Sequence, residues 1–497
     1  MNDQSHMHPP NLAAIAHQAM IDAGFVPDVP QSVLAELQAL ESRPPTAVYD
    51  SSTRDLRSLL WSSIDDQKSR DLDQVEYAER LANGDIRVQV GIADVDAMVQ
   101  KGSAIDAHAA ENGTSVYTGV RTYPMLPEQL STDLTSLAGG ADRSSVVTEM
   151  IVTPDGTVKS TDIYSALLHN YAKLSYEGVG DWLDNKGPIP QEIVNVPKME
   201  AQIRLQFEVA QHLLELRRKH GALELETIQA SPVINDNGQV AGLSVTERNS
   251  ARDLIENFMI AANVAMAEFL TAKGALSIRR VVRTPEHWPR IVEIANELGE
   301  QLPAQPDSRA LADFLARRKA ADPQHFPDLS LSIIKLLGPG EYMVQQPGTS
   351  GEQSIHFGLA VHDYTHSTAP NRRYADLVSQ RLVKAVLGTG AGPYTEAELT
   401  RIAAHCTERE DAARKVERKM RKVGAAVVMQ KRIGEVFDAI VTGVSPKGVF
   451  ARLIKPPVDG RVMRGEQGLR LGEKIRVKLL DTNPRRGFID FARIGDE

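Results

Sequence analysis

Apolar residues fall at helical spacing near the start of the chain. Leu12, Ile15, Ala16, Ala19 and Ala23 share one face, Asn11 is placed to cap it and Gly24 to stop it, which predicts a helix over 11–25. A second stripe follows Pro30, with Val33, Leu34, Leu37 and Leu40, and Pro44-Pro45 ends it. Together they predict a small helix-turn-helix-like module over 1–50. From about 56 to 165 the period shortens to two. Trp61 to Ile64 reads as a strand, Ile86 to Ile92 alternates as a half-buried strand does, and 146–153 and 157–163 read as a hairpin across Pro154-Asp155-Gly156. Helical patterns return at 197–220, 247–273, 374–387 and 394–432. The span 51–432 is thus one broad α+β domain with a mixed sheet and surrounding helices. After Gly434 the style changes again. Short strands at 436–441, 448–453, 474–479 and 487–491, parted by Gly, Pro and Asn, predict a small barrel over 433–497.

Composition is that of a globular protein, 42% hydrophobic and 24% charged over 497 residues. The longest apolar stretch, Leu254 to Leu270, carries Glu256 and Glu268 and reads as a buried helix, so no membrane partner is expected. The opening residues lack the basic start and apolar run of a signal peptide, and a single cysteine, Cys406, excludes intrachain disulfides. A reducing cytoplasm is the expected compartment. The net charge of −9 hides a gradient: residues 1–50 hold six acids and one base, 408–432 nine bases and four acids, and 434–497 twelve bases and nine acids. The acidic first module is unsuited to unaided phosphate contact and is expected to serve packing or protein contact. The basic last third can attract a polyanion locally.

The strongest chemical signal is the loop Asp65-Asp66-Gln-Lys-Ser-Arg-Asp71-Leu-Asp73-Gln74. Asp71 and Asp73, two apart, share a face of an extended segment, and Asp65 joins them if residues 67–70 fold back. Converging carboxylates suit Mg²⁺ or Mn²⁺, with water and a substrate phosphate completing the shell. Taken alone, an acidic surface loop is the commoner reading. A calcium loop from Asp65 to Glu76 would need glycine where Arg70 stands.

With this loop, four further stretches stand in a telling order: Val90-Gly-Ile-Ala-Asp-Val95; Gly102 to Asp106 with Gly113 to Tyr117 and Pro124 to Pro127; Leu254 to Met259 with Ala262-Asn263; and Tyr364-Thr-His-Ser-Thr-Ala-Pro-Asn-Arg372-Arg373-Tyr374. In this order the chain resembles the ribonuclease II and ribonuclease R family over roughly 55–495. Its tail is similar to the S1-type RNA-binding barrel, an OB fold, that follows the RNB-type catalytic domain there.

The resemblance implies a processive, hydrolytic 3′→5′ exoribonuclease that releases nucleoside 5′-monophosphates from single-stranded RNA, acting as a monomer. It assigns Asp65, Asp71 and Asp73 to a Mg²⁺ site, with Mn²⁺ as the alternative ion, and Arg372 to the scissile phosphate. Tyr117 is implied to clamp the terminal base, and Glu417 to lie near the RNA 3′ end. Glu256 is placed at the sugar, and Arg373 among the RNA-binding residues. Phe450 and Phe488 of the barrel are candidate stacking platforms, with Lys447, Arg485 and Arg486 as phosphate contacts; each Phe is equally suited to the barrel's core. The chain departs from the family pattern in four respects. Gln74 stands where a fourth aspartate is usual, offering an oxygen ligand without charge; Ser367 stands where Phe is frequent; a second stacking aromatic has no counterpart; and the first 50 residues are too few for the two cold-shock barrels of well-studied bacterial relatives. Gln74 motivates a competing class, an RNA-binding or scaffolding protein without catalysis. A phosphodiesterase of small nucleotides is a third reading, against which the barrel argues.

Overall fold

The computed structural model describes residues 11–42, 53–228, 230–235, 239–245, 247–348, 355–388 and 393–495. Asn11 accepts a hydrogen bond from the Ala14 amide at 3.0 Å and starts α1 (Leu12–Asp22). The buried face of α1 packs with Phe25 against Val116, Val416 and Met420. α2 (Gln31–Glu41) follows Pro30 and buries Val33 and Leu37 in the main core. The expected stop at Pro44-Pro45 lies outside the described residues. The module is tied down by polar contacts as well. The Val26 amide donates to Asn112 Oδ1 at 2.9 Å, and Arg409 Nη1 donates to the Gly24 carbonyl at 2.7 Å.

The central sheet begins with β1 (Arg54–Asp55), β2 (Trp61–Asp65), β3 (Gln74–Arg80) and β4 (Ile86–Ala93). After α3 (Ala104–Asn112) and the small pair β5 (Val116–Tyr117) and β6 (Thr122–Tyr123), it is completed by β7 (Asp142–Val152) and β8 (Val158–Ser175). The order is β1-β8-β2-β3-β4-β7, and β7 pairs with β8 as well, so the sheet closes on itself. β1 and β2 run parallel to β8 while the other pairs are antiparallel, which makes the sheet mixed as expected. Side-chain alternation divides it between two cores: Trp61 and Val75 enter one, Ile64 and Ala78 the other. The second core lies under α4 (Tyr176–Leu183), α5 (Gln191–Val194), α6 (Met199–Lys219) and α7 (Ser250–Ala272). α7 is long and apolar enough to cross a membrane, but 61% of that window is buried inside the protein.

Between α6 and α7 a hairpin, β9 (Ala230–Ile234) and β10 (Val240–Val245), leans on the long helix described below. β11 (Ser277–Val281) pairs with β12 (Glu341–Gln345). Between them α8 (Trp288–Glu297), α9 (Ser308–Ala321) and α10 (Phe326–Leu337) enclose a core of their own. A two-rung pair, β13 (Ile355–His356) and β14 (Val361–His362), precedes α11 (Tyr374–Gly388). α12 (Glu396–Met429) is 34 residues long and starts with a capping box between Thr395 and Glu398. The tail forms a closed barrel of β15 (Val436–Ser445), β16 (Gly448–Leu453), β17 (Asp459–Arg464), β18 (Lys474–Asn483) and β19 (Phe488–Ile494). The barrel sits directly on α12. A Cβ at Gly487, where φ is +69°, would come within 2.9 Å of Lys422 Cβ and 3.0 Å of the Val423 nitrogen.

Candidate active site

Asp65 ends β2, and the chain then leaves the sheet until Gln74 opens β3. The intervening loop is pinned rather than loose. Ser136 Oγ donates to the Arg70 carbonyl at 2.7 Å and accepts from the Leu72 amide at 3.0 Å; Lys173 Nζ donates to the Ser69 carbonyl. Asp65 Oδ1 accepts from the Asp66 amide at 2.6 Å and from Ser69 Oγ at 3.1 Å. Burial raises the Asp65 carboxyl above its ordinary range, against the pull of those two donors and of Arg372.

Asp73 is buried at 1% exposure. Its Oδ1 accepts from the Asn371 amide at 3.0 Å and its Oδ2 from Arg372 Nε at 3.2 Å. Even so, burial pushes its carboxyl up to about 7, with the Asp71 charge acting in the same direction. Two segments nearly 300 residues apart in sequence are therefore joined at one carboxylate. The strand–loop–strand supplies the acid, and the turn before α11 supplies the arginine.

That turn is held from the other side by the two residues that lead into β5. The Ser115 amide and Thr114 Oγ1 donate to the Arg372 carbonyl at 2.9 and 3.1 Å. Arg372 is about half exposed, at 46%, and only its Nε is engaged by Asp73. Arg373 is placed differently. It forms a two-pronged bond to Asp376, both contacts at 2.8 Å, so its fork is committed within the protein.

Tyr117 lies at the end of β5 with 42% of its surface exposed, and its amide donates to Glu417 Oε1 of α12 at 3.0 Å. Burial of Glu417 raises its carboxyl above the usual range. Tyr117, Arg372 and Glu417 line a cleft of about 180 Å³ together with Glu410, Arg414 and Tyr342. The Tyr117 hydroxyl is raised by burial, with Arg372 opposing and the charges of Asp71, Asp73 and Asp65 adding to the rise; the cleft meets the acidic loop through the bond from Arg372 to Asp73.

Other residues singled out by the sequence fall elsewhere. Glu256 projects from α7 and pairs with Arg248 at 3.2 Å, away from the residues lining the cleft. In the barrel, Phe488 is 56% exposed and Phe450 half-buried, while Phe491 and Phe437 fill the core. Ser367 is buried and bonds through N and Oγ to Asn263 Oδ1 at 2.8 and 2.9 Å. Two residues gained no role from the sequence. Asn371 Oδ1 accepts from Thr135 Oγ1 at 2.6 Å while its buried Nδ2 has no partner, beside Asp73. The Asn371 position inside the Tyr364–Tyr374 stretch was the available signal. Glu76, two residues past Gln74, is wholly buried.

Among the described residues no three Asp, Glu, His or Cys side chains stand close enough to cage an ion. Asp65, Asp71 and Asp73 are not drawn into a tight cluster, and the acidic loop meets the cleft through the contact of Asp73 with Arg372. Their chemistry nonetheless fits a hard divalent cation. The donors are carboxylate oxygens, and burial leaves the charges of Asp65 and Asp73 undercompensated by the protein alone, as their raised carboxyls show.

Residues 53–389 match the RNB domain model, and residues 435–494 match the RNase II-type exonuclease C-terminal S1 domain model. The chain therefore belongs to the RNB family, with a catalytic-type domain followed by an S1 barrel. Among relatives, it is 30% identical to Ribonuclease R of Thermotoga maritima over 95% of its own length and 69% of that protein's. It is 29% identical to Ribonuclease R of Escherichia coli, spanning 94% of this chain but 60% of that one. The structure of Mycoplasma genitalium RNase R in complex with ribose-methylated single-stranded RNA superposes with a TM-score of 0.86 at 24% identity, covering 97% of this chain and 78% of that one.

Proposed function

We propose that the chain is a processive 3′→5′ exoribonuclease that hydrolyses single-stranded RNA to nucleoside 5′-monophosphates and requires Mg²⁺, with Mn²⁺ able to replace it. The observation that carries this reading is the joining of Asp73 to Arg372, which lines one cleft with Tyr117 and Glu417. Asp65, Asp71 and Asp73 would hold the metal, with Gln74 as a neutral oxygen donor beside them. The ion would lower the pKa of a bound water and offset charge on the phosphate. Arg372 directs its remaining N–H donors at the scissile phosphate, where negative charge accumulates in the transition state. Tyr117 stacks on the last base, held in place by the bond from its amide to Glu417. Arg373 acts as a positioning residue that fixes the turn through Asp376. Glu256, paired with Arg248 away from the cleft, is left without a part in holding the terminal nucleotide.

The same reading divides the chain into an N-terminal helical module over 1–50, a catalytic domain over 51–432 and an RNA-binding barrel over 433–497. RNA enters past Phe488 and the exposed Lys447, Arg485 and Arg486. The protein acts as a monomer in a reducing cytoplasm, in keeping with its one buried, free cysteine. The N-terminal helices, given their acidity, serve packing or protein contact. Gln74 supports one rival, a chain that keeps the fold and binds RNA without cleaving it. End-labelled RNA separates the two. The proposed enzyme releases a 3′ label as a mononucleotide at the first turnover and a 5′ label only at the end, in Mg²⁺ or Mn²⁺. Binding with no product in either ion would establish the rival.

A further inference from the structure

One basic surface of the barrel has no part in the path proposed above. β18 alternates strictly at its start: Ile475, Val477 and Leu479 enter the barrel core, while Lys474, Arg476 and Lys478 point outward and are exposed. Alternate positions on a strand lie about 7 Å apart, so the three cations form a straight row of about 14 Å. Among the described residues none of the three has an ion-pair or hydrogen-bond partner. Other barrel arginines do: Arg432 pairs with Glu435 at 2.7 Å, Arg452 with Asp459 at 3.1 Å and Arg493 with Glu473 at 3.2 Å. The neighbours in register are apolar, Val436 and Ile440 on β15 and Ala492 and Ile494 on β19, except for Asp438 opposite Arg476. The row therefore keeps a net positive charge, and its members repel one another until an anion answers them.

Its position sets it apart from the face such barrels ordinarily use. OB folds take oligonucleotides on their second and third strands, β16 and β17 here. β18 borders neither; it lies between β15 and β19, on the far side of the closed barrel. Yet its C-terminal end leads toward the cleft. Asn483 pairs in register with Phe488 across the turn that holds Arg485 and Arg486, and Gly487 of that turn rests on Lys422 of α12. A chain laid along β18 runs on to Phe488 and then to the basic face of α12. Evenly spaced cations on a straight strand match an extended backbone with one charge per repeat, which a folded acidic surface does not present.

We propose that Lys474, Arg476 and Lys478 form a second RNA-binding face of the barrel, which holds the phosphate backbone of the segment upstream of Phe488. This rests on the exoribonuclease reading above and deepens it, because it gives long substrates a hold that short ones do not reach. Contacts to phosphate position the strand without reading its bases.

The test is equilibrium binding to the full-length chain without divalent ions, comparing tetrauridylate with an oligouridylate of about 30 nucleotides, longer than the roughly 4–16 that one OB fold takes. The neutral set, Lys474→Gln with Arg476→Gln and Lys478→Gln, is expected to weaken the long RNA at least tenfold. It should also flatten the log–log salt dependence by about 2, the share of three single-strand phosphate contacts. Tetrauridylate affinity should stay within twofold, and the charge-conserving set, Lys474→Arg with Arg476→Lys and Lys478→Arg, should bind the long RNA as the wild type does. Unchanged affinity and slope for the long RNA, or an equal loss on tetrauridylate, overturns the inference. So does a neutral set that binds RNA normally but loses self-association in sedimentation, which assigns the row to the acidic helices of a second copy. Mononucleotide release by the wild type in Mg²⁺ keeps the proposed activity standing in each of these cases. A wild-type chain that binds neither RNA overturns both.

Discussion

Residues in this site differ in how firmly the fold commits them. Arg373 is spent on Asp376, whereas Arg372 gives one nitrogen to Asp73 and keeps the rest for a ligand. Arg372→Ala is therefore expected to lower turnover by roughly 10²–10³ while RNA affinity changes little, as for loss of a transition-state donor. Single-turnover rates beside equilibrium binding check this, and a pure affinity loss would remove Arg372 from the assigned role. The two barrel phenylalanines make a similar contrast. Phe488→Ala, at an exposed ring, should cost RNA binding about 1–3 kcal/mol with the melting temperature unchanged. Phe491→Ala, at 0% exposure, should instead destabilise the barrel by about 3–5 kcal/mol. Fluorescence anisotropy and thermal melts distinguish them. Much of the site was legible at this scale because aspartates spaced along a loop are a direct sequence signal. That Arg373 is held by Asp376 was not legible, since a basic pair reads alike whichever member faces the ligand.

Elements with a clean period were read almost to the residue. The patterns at 197–220, 247–273 and 374–387 became Met199–Lys219, Ser250–Ala272 and Tyr374–Gly388. Long buried stripes repeat often enough to outweigh local noise. Strands defined by pairing rather than by pattern were harder. The hairpin expected from 146–153 and 157–163 is present as β7 and β8, but its second arm is the start of an 18-residue strand. Its continuation carries Ser165, His169, Asn170 and Lys173 because it changes partner from β7 to β2 near Asn170, whose Nδ2 bonds Ser63 Oγ and the Leu137 carbonyl. β17, with the sequence DGRVMR, has a turn-like start and is a strand because barrel closure sets it parallel to β19. The start of α12 illustrates local chemistry at its most readable. Thr395 accepts from the Glu398 amide at 3.3 Å, and Glu398 accepts from the Thr395 amide at 2.7 Å. Thr395→Ala should cost about 1 kcal/mol, measured by denaturant unfolding, with the loss local to α12.

At the scale of the molecule, α12 is the spine. It contacts the N-terminal helix, the strand of Tyr117, the β9–β10 hairpin and the barrel. Basic residues of this helix, Arg418, Lys419 and Lys422, are exposed on the way from barrel to cleft. RNA binding should therefore weaken with salt; four phosphate contacts would give a log–log slope of about −3. Acid should weaken the fold itself. Burial and the nearby Arg280 lower His356 to about 4, and burial places His366 well below its ordinary value, so both are neutral in the folded protein. The unfolded chain takes up these protons first, near the ordinary value of about 6.5, so stability is full above that pH and falls toward about 4. Melting temperature against pH shows this, and His356→Gln should flatten the slope.

The joining of a distant arginine to a loop aspartate is tested most directly by Asp73→Asn on single-stranded RNA in Mg²⁺. Mononucleotide release should fall by at least about 10²-fold, the scale of losing a principal electrostatic contributor, with RNA affinity held within about threefold. Cleavage at the wild-type rate would show that the chemistry is done elsewhere in the chain.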